Sequence, residues 1–380
     1  MRSRQSIRAG WIILGLIIWT WPVGAQESAG RPGITAPARD TDAMARELIG
    51  QAESLLRAGK YDKALKAFKQ VTFLKPEDAA AQYHLALTYI KLERYPEAVK
   101  ACRQAILFQA NYPEAYICLG AAEILLHRPK EAVDTLGQAL RLQPASVPAH
   151  TYLGAAYILL ERFAEAVKAY ELALRNQPDN AQALLGLSEA LANLGRHEEA
   201  AAAITRAIGV DPSRPEAFIA LAAAYNNLGR YREALEACRE AIKLNPGHPE
   251  AHLGLAAGLL MTGDYEPAVA LFQKAIALKP DLVQAYVGLG ECQAALGRYG
   301  EAVEALRRAL RYQPDYAEAH FSLGRVFLEN GQRGAALEEY ETLKGLNLNL
   351  SHELYGHIML ASRSGSAARG LPWRLKSGLW

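Results

Sequence analysis

The sequence lacks most of what chemistry at a fixed site draws on. Its 380 residues include only four cysteines, none in the C-x-x-C spacing that suits zinc. It has no glycine-rich phosphate loop and no G-x-S-x-G turn, which leaves nucleotide cradling and the common serine-hydrolase elbow without their parts. Charge of one sign is also missing: 42 Lys and Arg stand against 40 Asp and Glu, a formal +2. Three of the basic residues, Arg2, Arg4 and Arg8, lie in a segment expected to be removed, leaving about −1, which argues against nucleic acid as a partner. Lysines and arginines alternate with glutamates along the chain, the pattern of a solvated face. No apolar run beyond residues 11–21 approaches the length of a membrane span, and all five tryptophans lie in the first 21 or the last eight residues.

What the chain has in abundance is repetition. Residues 215–248, PEAFIALAAAYNNLGRYREALEACREAIKLNPGH, read as helix, turn and helix in 34 residues, and the spacing recurs on both sides without a slip. Nine consecutive repeats result: 45–78, 79–112, 113–146, 147–180, 181–214, 215–248, 249–282, 283–316 and 317–350. Their eighth place is always small (Ala52, Ala86, Gly120, Gly154, Ser188, Ala222, Ala256, Gly290, Gly324), and their twentieth is always alanine, from Ala64 to Ala336. Those two columns predict the closest approach of paired helices, with room left for the opposing backbone. Seven prolines, Pro76, Pro144, Pro178, Pro212, Pro246, Pro280 and Pro314, stop the second helices.

Between these columns the apolar residues follow a helical period, as with Leu153 and Tyr157 on one helix and Ala166, Tyr170 and Ala173 on the next. A unit this small cannot bury its apolar stripes alone, so neighbours must stack into one continuous core. Glycines such as Gly195 and Gly229 fall at the turn inside the repeat, where positive φ is expected. Repeats two to four depart from this: KLERYPEA, LLHRPKEA and LLERFAEA put Glu93, His127 and Glu161 in the glycine's place.

The ends read differently. Arg2, Arg4 and Arg8, the apolar run and Val23-Gly24-Ala25 form a secretory signal pattern with cleavage after Ala25, so export to the periplasm or outside the cell is expected. An uncleaved anchor is the alternative, and the shortness of the run counts against it. Residues 26–44 read as a flexible leader, 351–361 as a capping helix with Ser351 at its start, and 362–380 as a flexible tail carrying Trp373, Arg374, Lys376 and Trp380. That tail is expected to pack on the terminal helix or stay disordered; docking of a partner or contact with a membrane surface is the other reading, and no other part of the chain suggests membrane contact. Of the cysteines, only Cys102 and Cys118 are close enough in the pattern to pair, and buried free thiols are the expectation.

The nine in-phase repeats resemble the tetratricopeptide repeat over residues 45–350. That resemblance implies an all-α fold, a right-handed superhelical solenoid of nine antiparallel helix pairs closed by the capping helix. It also implies that the first helices line a concave groove through their second, fifth, ninth, twelfth and thirteenth places. In this sequence those places give Tyr83, Leu87 and Ile90, then Ile117, Ala121, Ile124 and Leu125, then Thr151, Ala155, Ile158 and Leu159. Later repeats add Leu185, Ile219, Leu253, Leu260, Met261 and Val287. A surface of this composition suits an apolar or amphipathic protein segment, with the strongest contacts in repeats two to four. The alternative is that these aliphatics pack against neighbouring first helices as core.

The expected function is therefore an exported protein-interaction scaffold, with a carrier or sensor of an apolar small molecule or lipid as the other reading. Lys91, Asn193, Asn226 and Asn227 are scattered and do not form the carboxylate clamp of some family members. His248 and His252 lie four apart in GHPEAH, but zinc needs three or four ligands, so no metal, cofactor or catalytic site is expected.

Overall fold

Prolines and small residues decide where the helices stop and touch. The computed structural model describes residues 38–364, and among them every regular element is an α-helix, nineteen in all. They form two compact bodies, one closing at Val210 and one opening at Asp211. The first holds α1 (Ala38–Arg57), α2 (Tyr61–Leu74), α3 (Ala79–Lys91), α4 (Tyr95–Phe108), α5 (Pro113–Leu125), α6 (Pro129–Leu142), α7 (Val147–Leu159), α8 (Phe163–Asn176), α9 (Ala181–Asn193) and α10 (His197–Val210). The second holds α11 (Pro215–Asn227), α12 (Tyr231–Leu244), α13 (Pro249–Thr262), α14 (Tyr265–Leu278), α15 (Val283–Ala295), α16 (Tyr299–Tyr312), α17 (Ala317–Glu329), α18 (Arg333–Leu346) and α19 (Leu348–Ser364). Second helices start every 34 residues from α2 to α18, and first helices do so from α3 to α17.

One turn closes the helix pair in each repeat. In repeat two the N–H of Glu93 donates to the Ile90 carbonyl at 3.0 Å and that of Arg94 to Tyr89 at 2.9 Å, the paired bonds of a Schellman ending. Such an ending needs a positive φ at the residue in the position of Glu93. Gly195 and Gly229 supply it at 74° and 72°, whereas Glu93, His127 and Glu161 adopt it at 57°, 55° and 58°. For a residue with a Cβ this costs roughly 1–2 kcal/mol. Next in the chain, Arg94 and Arg162 lie over the rings of Tyr89 and Tyr157 at 5.0 and 4.6 Å, and each bonds a glutamate three residues on.

In repeats three, four and eight the tightest packing is made by one side chain, at the twenty-fourth place, and in repeat nine Leu354 of α19 takes that part against Gly324. A Cβ on Gly120 would stand 2.6 Å from Leu136, one on Gly154 2.7 Å from the Tyr170 ring, and one on Gly290 2.7 Å from Leu306. The small residues of the eighth place thus chiefly make room for a side chain, where opposing backbone was expected. The same side chain also meets the sixth place of the following repeat. For Tyr170 and Phe272 that place is glycine: a Cβ on Gly186 would lie 2.3 Å from Tyr170, and one on Gly288 2.2 Å from Phe272, whereas the Phe68 ring stacks on His84 there. Burying each of these rings contributes about 2–3 kcal/mol. The second helix is thereby keyed to its own repeat and to the next.

A second joint is polar. A proline carbonyl at the end of a second helix has no helical donor and must find another. Gln82 donates to the Pro76 carbonyl at 3.2 Å, His150 to Pro144 at 2.9 Å, His252 to Pro246 at 2.9 Å, and Tyr286 to Pro280 at 3.1 Å. All four donors occupy the fourth place. His252 is therefore committed to the backbone.

Two boundaries differ from expectation. Helix α1 begins at Ala38, inside the expected leader, because nothing in ARDTDAMA breaks a helix and its Asp42 forms an ion pair with Lys75, the residue that follows α2. The final helix begins at Leu348, where the proline of other repeats is missing. Asn347 caps it by accepting from the Leu350 N–H at 3.2 Å, while Ser351 lies within the helix and donates to the Leu348 carbonyl at 2.8 Å. Leu354 and Ile358 are fully buried on this helix, as their spacing suggested. The expected signal segment and the Trp-containing end of the tail lie outside the described residues. No helix among the described residues is long and apolar enough to cross a membrane.

Candidate functional site: the first-helix face

In the N-terminal body, α3, α5 and α7 carry the face chosen from the sequence. Tyr83, Leu87 and Ile90 succeed one another at four and three residues on α3, and Ile117, Ala121, Ile124 and Leu125 follow the same course on α5. Most of these side chains are buried. Ile124 is 1% exposed and Ile158 is 8% exposed, and Tyr83, Ile90, Ile117, Ala121, Thr151 and Ala155 are buried with them. Ile117, Ala121, Ile124 and Ala155 belong to one apolar cluster with Leu136 and Tyr152, while Tyr83 and Ile90 belong to another with Phe68 and Cys102. Leu87, Leu125, Leu159 and Leu185 are half-buried and keep surface on the same face. Lys91, at the end of α3, is half-buried too, and loss of hydration lowers its pKa.

The C-terminal body begins this face with Ile219 half-buried on α11, then Leu253 and Leu260 buried and Met261 half-buried on α13. Beyond Val287 it changes character. The ninth place, alanine in repeats three and four, is Glu291 on α15 and Arg325 on α17, and the thirteenth place of repeat nine is Glu329. All three are buried. Ser322 donates to Glu291 Oε1 at 2.6 Å, and the Arg325 guanidinium lies 3.8 Å from Glu329. Oε2 of Glu291 has no hydrogen-bond partner among the described residues. Burial pushes the Glu291 carboxyl up to about 7, against the opposing pull of Ser322 and Arg325. Burial also lowers the pKa of His357 on α19, with Arg325 adding to the effect.

Sequence reasoning missed this polar floor, although the signal was in the columns: charged residues succeed one another at places that hold alanine or leucine earlier. It also missed Glu123, a buried carboxylate of the N-terminal body that faces the second helix. Thr135 donates to it at 2.8 Å and Arg103 stands 3.7 Å away. Among the described residues there is no group of three or more potential metal ligands. An open apolar cleft of about 350 Å³ lies between α1 and α2, lined by Met44, Leu48, Lys69, Gln70, Phe73 and Leu74.

Residues 108–322 match the family model described as the C-terminal domain of cilia and flagella-associated protein 70, and residues 49–116 match a tetratricopeptide repeat model. A tetratricopeptide repeat protein from Parabacteroides merdae is similar in structure, with TM-score 0.56 and 21% identity over 65% of this chain and 98% of that one. The Cut9–Hcn1 hetero-tetramer of the APC/C is similar at TM-score 0.52 and 15% identity, over 83% of this chain and 76% of that one. No match was found among curated proteins. With more than half of its length inside one repeat model and helix pairs recurring in both bodies, the chain belongs to the tetratricopeptide-repeat family.

Proposed function

We propose that this protein is an exported interaction scaffold that holds an apolar or amphipathic segment of a partner protein against the first-helix face of repeats two to four. Tetratricopeptide arrays are in general scaffolds and not enzymes, and the fold itself supports the interaction class. The observation that carries the finer reading is the recurrence of half-buried Leu87, Leu125 and Leu159 on successive first helices over a buried apolar floor. Prealigned leucines gain about 25 cal/mol per Å² of apolar area removed from water, and the ordering of the partner segment opposes that gain. Export rests on the basic, apolar and small-residue pattern of residues 1–25. A carrier of a lipid or apolar small molecule would need an enclosing cavity, and the open cleft at Phe73, itself 84% exposed, does not enclose one.

A peptide array of amphipathic, apolar and charged sequences, probed with the whole protein, tests the scaffold. Binding should favour peptides with an apolar face and be lost in the combined Leu87→Glu, Leu125→Glu, Leu159→Glu variant, with helicity by circular dichroism unchanged. Binding retained by that variant, or confined to charged peptides, would overturn the reading. Cell fractionation with and without residues 1–25 tests export separately, since a protein retained in the cytoplasm in both forms rejects it.

A further inference from the structure

Cys102 and Cys118 occupy the keyed joint described above. Cys102 stands at the twenty-fourth place of repeat two on α4, and Cys118 at the sixth place of repeat three on α5. Both are fully buried, and their Sγ atoms are 2.9 Å apart. That is inside the usual contact distance of two sulfurs and less than 1 Å longer than a disulfide bond. Elsewhere the same joint is filled by size: Phe272 faces Gly288, and Phe68 stacks on His84 with ring centroids 5.5 Å apart. Cys238 also holds a twenty-fourth place, but the sixth place of the repeat after it is Gly254, so it meets no thiol there. Cys292 sits on α15 at the tenth place, away from any such joint.

We propose that Cys102 and Cys118 form a disulfide that fastens the second helix of repeat two to the first helix of repeat three. The oxidant is a disulfide of the glutathione or thiol–disulfide oxidoreductase class. One cysteine thiolate attacks it to give a mixed disulfide and release one thiol, and the second cysteine then displaces the other thiol. Two S–H bonds and one S–S bond of the oxidant are lost, one S–S bond forms in the protein, and both protons end on the two released thiols. Burial pushes the Cys102 thiol well above its ordinary value, so exchange belongs to the folding chain or to an opened joint, and the finished bond is shielded from reductants. Ile117 on the first-helix face directly precedes Cys118, so the bond fixes the spacing of two helices beneath the surface proposed to meet a partner.

The test is to refold the reduced whole protein with oxidised glutathione, denature it without reductant, alkylate it and measure its intact mass. Two alkyl groups, mapped by peptide digestion to Cys238 and Cys292, and the loss of two hydrogens are expected. Alkylation at all four cysteines, retained glutathione on Cys102 or Cys118, or a bond involving Cys238 or Cys292 would overturn the proposal. A thermal melt gives a second readout: closing a loop of roughly 15 residues should raise the midpoint by roughly 5–10 °C over the reduced protein. That difference should vanish in the Cys102→Ala, Cys118→Ala variant, and its persistence there would count against the bond.

Discussion

The first-helix face of repeats three and four and that of repeats eight and nine use the same places of the same helices at comparable burial, yet they are chemically opposite. On α5 and α7 the ninth place is Ala121 and Ala155, and hydrocarbon packs on hydrocarbon. On α15 and α17 it is Glu291 and Arg325, with Ser322 and Glu329 beside them. The backbone period decides only that these places turn inward. What they turn into is set one residue at a time, and the two outcomes differ physically: an apolar floor is indifferent to pH, whereas a buried carboxyl is not.

The largest effect should come from a feature the two regions share. Gly186→Ala in the N-terminal body and Gly288→Ala in the C-terminal body each drive a methyl group into a buried ring, and each should cost about 3 kcal/mol. Urea denaturation followed by local probes in the two bodies would check this, and a loss under about 1 kcal/mol in either would mean that its ring can move aside. The next effect separates the regions. The Glu291 carboxyl has its value raised to about 7 in the folded protein, so the folded state holds the proton more tightly than the unfolded chain does. Its stabilising contribution is complete below the unfolded value near 4.5 and is lost as pH rises through about 7, on the order of 3 kcal/mol. Glu291→Gln should flatten that part of the stability profile. Ala121→Glu should introduce a slope of the same sign into the N-terminal body, and its absence would show that the apolar floor yields to let a carboxylate reach water.

The smallest effect lies at the turns. Glu93→Gly and Glu161→Gly should raise stability by about 1 kcal/mol or less, because glycine relieves the positive φ but loses more freedom on folding. Gly229→Ala and Gly297→Ala in the C-terminal body should lower it by a similar amount. If the glycine substitutions in repeats two and four are instead neutral, the arginines stacked on Tyr89 and Tyr157 balance the strained turns.

How much of this was legible follows from what a period can encode. The helix starts, the proline stops and the small eighth place are columns, and columns are visible in one sequence. The identity of the group meeting Gly154 was not, because spacing places an inward residue without naming its contact, and Tyr170 reaches it from another helix. For the same reason the sequence marked Ile124 and Leu125 as neighbours on one face and could not tell that the first is buried while the second keeps surface. The start of the last helix was misplaced for a local reason: Ser351 and Asn347 are both good capping residues, and only the missing proline at Leu348 favours the earlier one.

The keyed joint also bears on how such an array could be cut and rejoined. Tyr170 demands Gly186 in the following repeat, and Phe272 demands Gly288. A 34-residue block moved whole would separate each ring from the glycine that admits it. The interchangeable part is therefore offset from the helix pair, running from the second helix of one repeat through the first helix of the next. Shuffling, duplication or grafting along that offset frame keeps Tyr170 with Gly186 and Phe272 with Gly288 and parts only Tyr170 from Gly154, whereas the conventional frame parts the first two pairs and keeps the third.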